Sequence, residues 1–323
     1  GAFWKKLAPA LADVRNLYIS PDGVFTKINC ATLYDPATRQ YLIDRMSVME
    51  VSNLRDLVEK RDSHTLPPHA LLVGFPDYRL DATRKASDIP RSSRDASLFG
   101  AVLQDGLNEL PGTQKEVVAV HGVLQSSQWN VETLLRKEAL EEKIKSSQNI
   151  TLLHIATHGF FLAPKNEHEK EVYTHNLRDV ENNSMLRSGL LLGGAEKNLI
   201  AMLSDQSNPA GDDGILSAYE VMNLNLDAAE LVVLSACETG KGDVKNGEGV
   251  YGLQRAFMLA GAHHVLMSLW KVDDAATQEL MAAFYGEWLS GKEKMRAFHD
   301  AQVSMKQKFS HPYYWGAFVM MGR

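Results

Sequence analysis

Short, largely apolar runs alternate along the chain with amphipathic stretches. Residues 70–78 (ALLVGFPDY), 150–158 (ITLLHIATH), 230–236 (ELVVLSA) and 263–270 (HHVLMSLW) are too short for buried helices and rich in Leu, Val and Ile. Such runs predict strands covered on both faces. Residues 113–124, 131–146, 247–262, 275–290 and 292–309 instead place apolar residues at helical spacing. For the first of these, Thr113 is expected as N-cap with Glu116 at the third helical position. For the second, Glu132 and Arg136 stand at i,i+4 as a supporting pair. A short helix is expected from Ser217 to Met222, a strand with a turn at 185–194 and a final strand at 313–321. Strands and helices in alternation predict a mainly parallel sheet with helices on both faces.

The N-terminal part reads differently. Phe3, Trp4, Leu7, Leu11 and Val14 have helical spacing, so 1–16 is expected to end a preceding helical module or linker. The Pro21-Asp22-Gly23 and Asp35-Pro36 breaks separate 17–19, 24–34 and 40–51, expected strands of a hairpin or small antiparallel sheet, with Cys30 mid-strand. Residues 60–70 form a linker, and 81–97, 163–184 and 203–214 are polar enough to be loops. This gives a division into 1–16, an N-terminal β-hairpin extension at 17–60 and a larger domain at 61–323.

Composition narrows the classes. With 45% apolar and 23% charged residues the chain is an ordinary folded protein rather than a disordered or collagen-like one. It lacks an apolar run of the roughly 18–20 residues that a bilayer span needs. A net charge of −6 offers no electrostatic case for nucleic acid. Two cysteines, Cys30 and Cys237, cannot build a disulfide framework or a CxxC metal site, which favours a reducing, cytoplasmic setting. The chain opens on Gly1 rather than Met and is expected to be a piece of a longer protein.

Ligands of open parallel sheets collect beyond the C-terminal ends of the strands. His158, followed by Gly159, closes one such run, and Cys237 closes another. A thiol and an imidazole on one rim can work as nucleophile and proton carrier. Against this stands the usual inertness of a buried free cysteine, the reading given to Cys30. His154 and His158 are four apart, but on a strand that is about 13 Å, so His154 reads as a core histidine and not as a metal partner. His263 and His264 receive no role. Gly247-Glu248-Gly249-Val250-Tyr251-Gly252 matches G-x-G-x-x-G, with Asp273 beyond it, but ten residues separate it from the preceding strand. A nucleotide-binding reading is therefore weak. Neither a phosphate-binding G-x-x-x-x-G-K-[ST] nor a G-x-S-x-G elbow is present.

HIATHGFF (154–161), RSGLLL (187–192), DGILSAYEV (213–221), LVVLSACETGKGDVKNGEGVYGLQRAFMLAGA (231–262), SLWKVDDAAT (268–277) and HPYYWGAFVMMG (311–322) together resemble the CHAT domain, with LYISPDGVFTKI (17–28) similar to the start of such domains. This caspase-like cysteine peptidase domain commonly follows tetratricopeptide repeats. The resemblance implies a caspase-like three-layer α/β sandwich with a mostly parallel central sheet. It implies a catalytic dyad at His158 and Cys237, with the backbone N–H groups of Gly159 and Cys237 as oxyanion donors. Segment 268–274 is similar to the pocket-lining strand and loop of separases, which makes Ser268, Trp270, Asp273 and Asp274 candidates for the substrate pocket. There a carboxylate would receive a basic side chain; helix capping is the competing role for the two aspartates. Asp212, Asp213 and Glu248 are weaker pocket candidates. The resemblance implies a protein substrate, a regulatory N-terminal repeat module or activator, a bacterial source, and no cofactor, metal, nucleic acid or membrane. A caspase-like scaffold that binds partners without cutting them is the alternative.

Overall fold

The apolar runs pair edge to edge in one sheet. The computed structural model describes residues 7–21, 25–26, 28–58, 66–80, 107–161, 184–203, 212–238, 248–270 and 273–322. In chain order the elements are β1 (Asn16–Ile19), β2 (Tyr34–Asp35), β3 (Gln40–Tyr41), β4 (Ser47–Val51), β5 (His69–Pro76), α1 (Pro111–Ser126), β6 (Asn130–Arg136), α2 (Glu141–Ser146), β7 (Leu152–Phe161) and β8 (Ser188–Leu191). They continue with α3 (Ala195–Leu203), β9 (Ile215–Ser217), α4 (Ala218–Val221), β10 (Leu231–Glu238), α5 (Glu248–Leu259), β11 (His264–Ser268), α6 (Asp274–Leu289), α7 (Lys294–Lys308), α8 (Pro312–Trp315) and β12 (Phe318–Gly322). The expected loops at 81–97 and, apart from Ser184, 163–184 lie outside the described residues.

The strand order is β1-β4-β12-β11-β10-β7-β5-β6, with β8 and β9 added beside β7. Strands β11, β10, β7, β5 and β6 run parallel to one another; β12 pairs antiparallel with β11 and β8 antiparallel with β7. Alternate residues of each strand serve two cores. Leu153, Ile155, Val232 and Leu234 pack with α2, α4 and α5 on one face. Leu152, Ala156, Leu231 and Val233 pack with α1, α6, α7 and α8 on the other. This is the expected three-layer α/β sandwich with a mostly parallel sheet.

The N-terminal segment differs from the expected antiparallel arrangement. A hairpin exists, but it is only two residues long on each side, pairing Tyr34 with Tyr41 and Asp35 with Gln40. Strand β1 instead pairs in parallel with β4, and β4 in parallel with β12. Strands β1 and β4 therefore extend the main sheet. Of the described positions in 24–34 only Tyr34 belongs to a strand, and Cys30 opens a single 3-10 turn. The cause is Asn29. Its side chain accepts the Ala31 N–H and donates to the carbonyls of Gly316 (2.8 Å) and Phe318 (3.0 Å), committing the backbone to a turn.

The expected helix at 131–146 is strand β6 followed by the short α2. Val131 and Leu135 pack towards one core while Leu134 enters the other, an alternation of period two. Glu132 and Arg136 are thus not helical neighbours; Arg136 bonds Glu109 at 2.6 Å instead. The expected capping box on α1 also fails. Thr113 accepts the Phe75 N–H and donates to the Leu110 carbonyl, while Glu116 turns into the core.

Burial settles the state of Cys30 and its neighbour Glu50. Desolvation, helped by the charge of Glu50, pushes the Cys30 thiol up to about 11, so it stays protonated and unreactive at neutral pH. Desolvation pushes the Glu50 carboxyl from about 4.5 up to about 8. A raised carboxyl binds its proton more tightly in the folded state. Its contribution is therefore whole below about pH 4.5 and lost as pH climbs through about 8. Glu50→Gln removes that dependence. Its melting temperature should exceed that of the wild type by a margin that widens between about pH 5 and pH 9 in a thermal melt series. A constant margin would contradict this assignment.

Candidate active site

The parallel ladder between β7 and β10 determines what meets at the rim. Register places Cys237 opposite His158 and Glu238 opposite Gly159. Register partners occupy the same face of a sheet. That face is the one covered by α1 and α6, because Leu152 and Ala156 on β7, and Leu231 and Val233 on β10, belong to that core. Residues 79 apart in sequence thus become register partners near the C-terminal ends of two central strands, although β7 does not stop at His158 as expected but continues to Phe161.

His158 is half-buried and held from three directions. Its Nε2 lies 2.8 Å from the Asn108 carbonyl, its main-chain N–H donates to the Tyr78 hydroxyl at 3.3 Å, and its ring leans on the Tyr78 ring at 5.1 Å between centroids. A carbonyl only accepts, so Nε2 carries the hydrogen and Nδ1 holds the lone pair in the neutral ring. The Asn108 carbonyl precedes α1, and sequence inspection offered no signal for it.

The remaining predicted residues divide. Ser268, at the end of β11, is buried and donates to the Ala236 carbonyl at 2.8 Å, locking β11 to β10 one residue before Cys237. Trp270 is half-buried and donates its indole N–H to the Tyr313 carbonyl at 3.3 Å. Asp273 is the N-cap of α6 and accepts the N–H groups of Ala275 and Ala276 at 3.1 and 3.0 Å. The capping role is therefore real for Asp273. Asp274 is exposed in the first turn and lies over Gly112; a Cβ at 112 would overlap its carboxyl. Its acid therefore faces the start of α1, close to the segment that carries Asn108. Gly159 sits within β7, paired in register with Leu190 of β8 as well as with Glu238. Asp212 and Asp213 lie elsewhere, the first in an ion pair with Lys145 and the second capping the Ile215 N–H.

Behind the rim lies a buried polar chain that the motifs did not announce. Ser235 donates to Glu116 at 2.9 Å, Glu116 lies 3.2 Å from His154 Nε2, and His154 Nδ1 meets the Tyr285 hydroxyl at 3.0 Å. Glu116 is 4% exposed and His154 fully buried. Complete burial, deepened by the Glu116 charge, holds the Tyr285 phenol well above its ordinary value. The sequence did hold a signal for Glu116. With Thr113, Val117, Val120 and Leu124 it falls on the inward stripe of α1, where an acid is out of place.

Among the described residues, no group of three or more His, Cys, Asp or Glu side chains is arranged to hold a metal ion. No described helix is long and apolar enough to cross a membrane.

A model of the CHAT domain family matches residues 1–323. Tetratricopeptide repeat protein 28 of Homo sapiens is 27% identical over 325 residues, covering 95% of this chain and 12% of that protein. The Mus musculus protein of the same name is 26% identical over the same extent. The chain thus spans only 12% of the length of these relatives. Among solved structures, the Arg-specific cysteine proteinase gingipain R superimposes with a TM-score of 0.49 at 8% identity, covering 98% of this chain and 65% of that one.

Proposed function

This chain belongs to the CHAT domain family, and we propose that it is a cytoplasmic cysteine endopeptidase that cuts a protein partner. The observation that carries the reading is the register of Cys237 against His158 at the C-terminal rim. His158 Nδ1 takes the Cys237 thiol proton, the thiolate attacks the scissile carbonyl, and the resulting imidazolium returns that proton to the departing amine. Asn108 supports this by keeping the hydrogen on Nε2, so that Nδ1 is the nitrogen able to exchange a proton. Water then releases the acyl group from sulfur. The backbone N–H groups of Gly159 and Cys237 are the donors proposed for the developing oxyanion. A tetratricopeptide repeat module N-terminal to this domain, of the kind for which its relatives are named, is the proposed regulator.

Asp274 is the proposed determinant of the residue before the cut, selecting Arg or Lys. It is the aspartate left over once Asp273 has taken the α6 cap. Ser268 and Trp270 shape the wall of that pocket through the carbonyls they hold. A charge-assisted hydrogen bond contributes about 1.5–3 kcal/mol, so Asp274→Ala should lower kcat/KM for basic residues by about 10- to 100-fold. Asp273→Ala should cost about 1 kcal/mol of stability through the lost cap, and leave the preference in place. Profiling a peptide library by mass spectrometry reads both. Cutting after apolar residues would remove Asp274 from this role, and partner capture without any cleavage would favour the scaffold instead.

A further inference from the structure

Strand β7 changes neighbour at His158. Strand β5 accompanies it only from Ala70 opposite Leu152 to Gly74 opposite Ala156. There β5 breaks, with Phe75 at φ 47° and Pro76, which has no N–H to offer, ending the strand. From His158 onward the antiparallel β8 pairs with β7, beginning with Leu191, while β10 still holds the opposite edge through Gly159. The dyad histidine therefore stands where a parallel neighbour is exchanged for an antiparallel one.

The Tyr78 side chain fills that junction. It is 2% exposed, and its main chain is anchored by the Glu196 N–H, which donates to the Tyr78 carbonyl at 3.0 Å. Its hydroxyl accepts the His158 N–H at 3.3 Å and stands 2.9 Å from Thr157 Oγ1. Thr157 spends its own hydrogen on the Leu191 carbonyl, so the Tyr78 O–H is the donor to Thr157. The result is a directed chain, His158 N–H to Tyr78 to Thr157 to Leu191, joining the end of β5, the turn-over point of β7 and the end of β8. The same ring also leans on the imidazole, at 5.1 Å between centroids.

We infer that Tyr78 is a positioning residue for the dyad histidine, its hydroxyl fixing the His158 main chain and its ring fixing the imidazole. The inference rests on the peptidase reading for its catalytic consequence, though not for its geometry. Tyr78→Phe keeps the ring and deletes the hydroxyl that takes the His158 N–H. A displaced imidazole is an orientation defect, so kcat should fall by about 10- to 100-fold with KM nearly unchanged. Thr157→Val removes the partner that orients the hydroxyl and should act in the same direction. In the double variant the two losses should not add, since they break one chain. A second readout needs no activity: the imidazole nitrogen-15 shifts of His158, which report its tautomer and hydrogen bonds, should move in Tyr78→Phe while the melting curve stays cooperative. Unchanged kcat and unchanged His158 shifts in Tyr78→Phe would overturn the inference, even if His158→Ala is inactive. An uncleaved peptide library together with moved shifts would instead overturn the peptidase reading and leave Tyr78 in its place.

Discussion

Glu116→Ala should lower the unfolding free energy by about 2–5 kcal/mol, because it leaves buried polar side chains without their partner and opens a cavity in the core. The Glu116 side chain receives the Ser235 hydroxyl and faces His154 Nε2, and all three side chains are buried. Alanine would leave two buried polar groups unmatched and open a void on the inward stripe of α1. Glu116→Gln keeps one acceptor and nearly the same volume, so it should lose clearly less. Urea unfolding monitored by circular dichroism separates the two. A loss below about 1 kcal/mol for alanine would mean that the chain is incidental to the fold.

The network also reaches the rim where the proposed dyad stands. Helix α1 is preceded by Asn108, whose carbonyl holds His158, and α6 begins at Asp274 and hangs from His154 through Tyr285. The two helices that border the dyad are thus tied to the two strands that carry it. A thermally weakened Glu116 variant should for that reason lose cleavage at temperatures below its melting transition.

The second large effect concerns the dyad itself. His158→Ala and Cys237→Ala should each lower kcat by about 10⁴-fold or more, and the double variant should be no worse than either alone, because groups that act as a unit are not additive. Cys30 provides an internal control: burial holds its thiol up to about 11, so Cys30→Ala should leave the rate unchanged.

The central strands were legible because their apolar runs are continuous, a pattern that only two-sided burial requires. His158 and Cys237 were picked out because the apolar runs stop there, although β7 itself continues to Phe161. What escaped depended on contacts between distant segments. Nothing near residues 24–34 reveals that Asn29 will hold the carbonyls of Gly316 and Phe318 and turn the chain there. Strand β6 carries opposite charges at helical spacing, and its alternation of Val131, Thr133 and Leu135 was the weaker signal until β5 supplied a neighbour. Glu116 was assigned to a cap from local spacing, whereas tertiary burial recruited it to His154. Asp273 and Asp274 looked equivalent in sequence; only the geometry of α6 gives the cap to the first and leaves the second over Gly112. Tyr78 and Asn108 belong to no motif, and they meet at one histidine that only folding brings to them.

The most direct test is covalent. The wild-type protein, His158→Ala and Cys237→Ala are each treated with a peptidyl acyloxymethyl ketone carrying a basic residue at the reactive end, and the adduct is located by peptide mass spectrometry. The account predicts modification at Cys237 in the wild type, its loss in both variants, and an unmodified Cys30 throughout. Labelling that ignores His158, or that falls on Cys30 rather than Cys237, would contradict it.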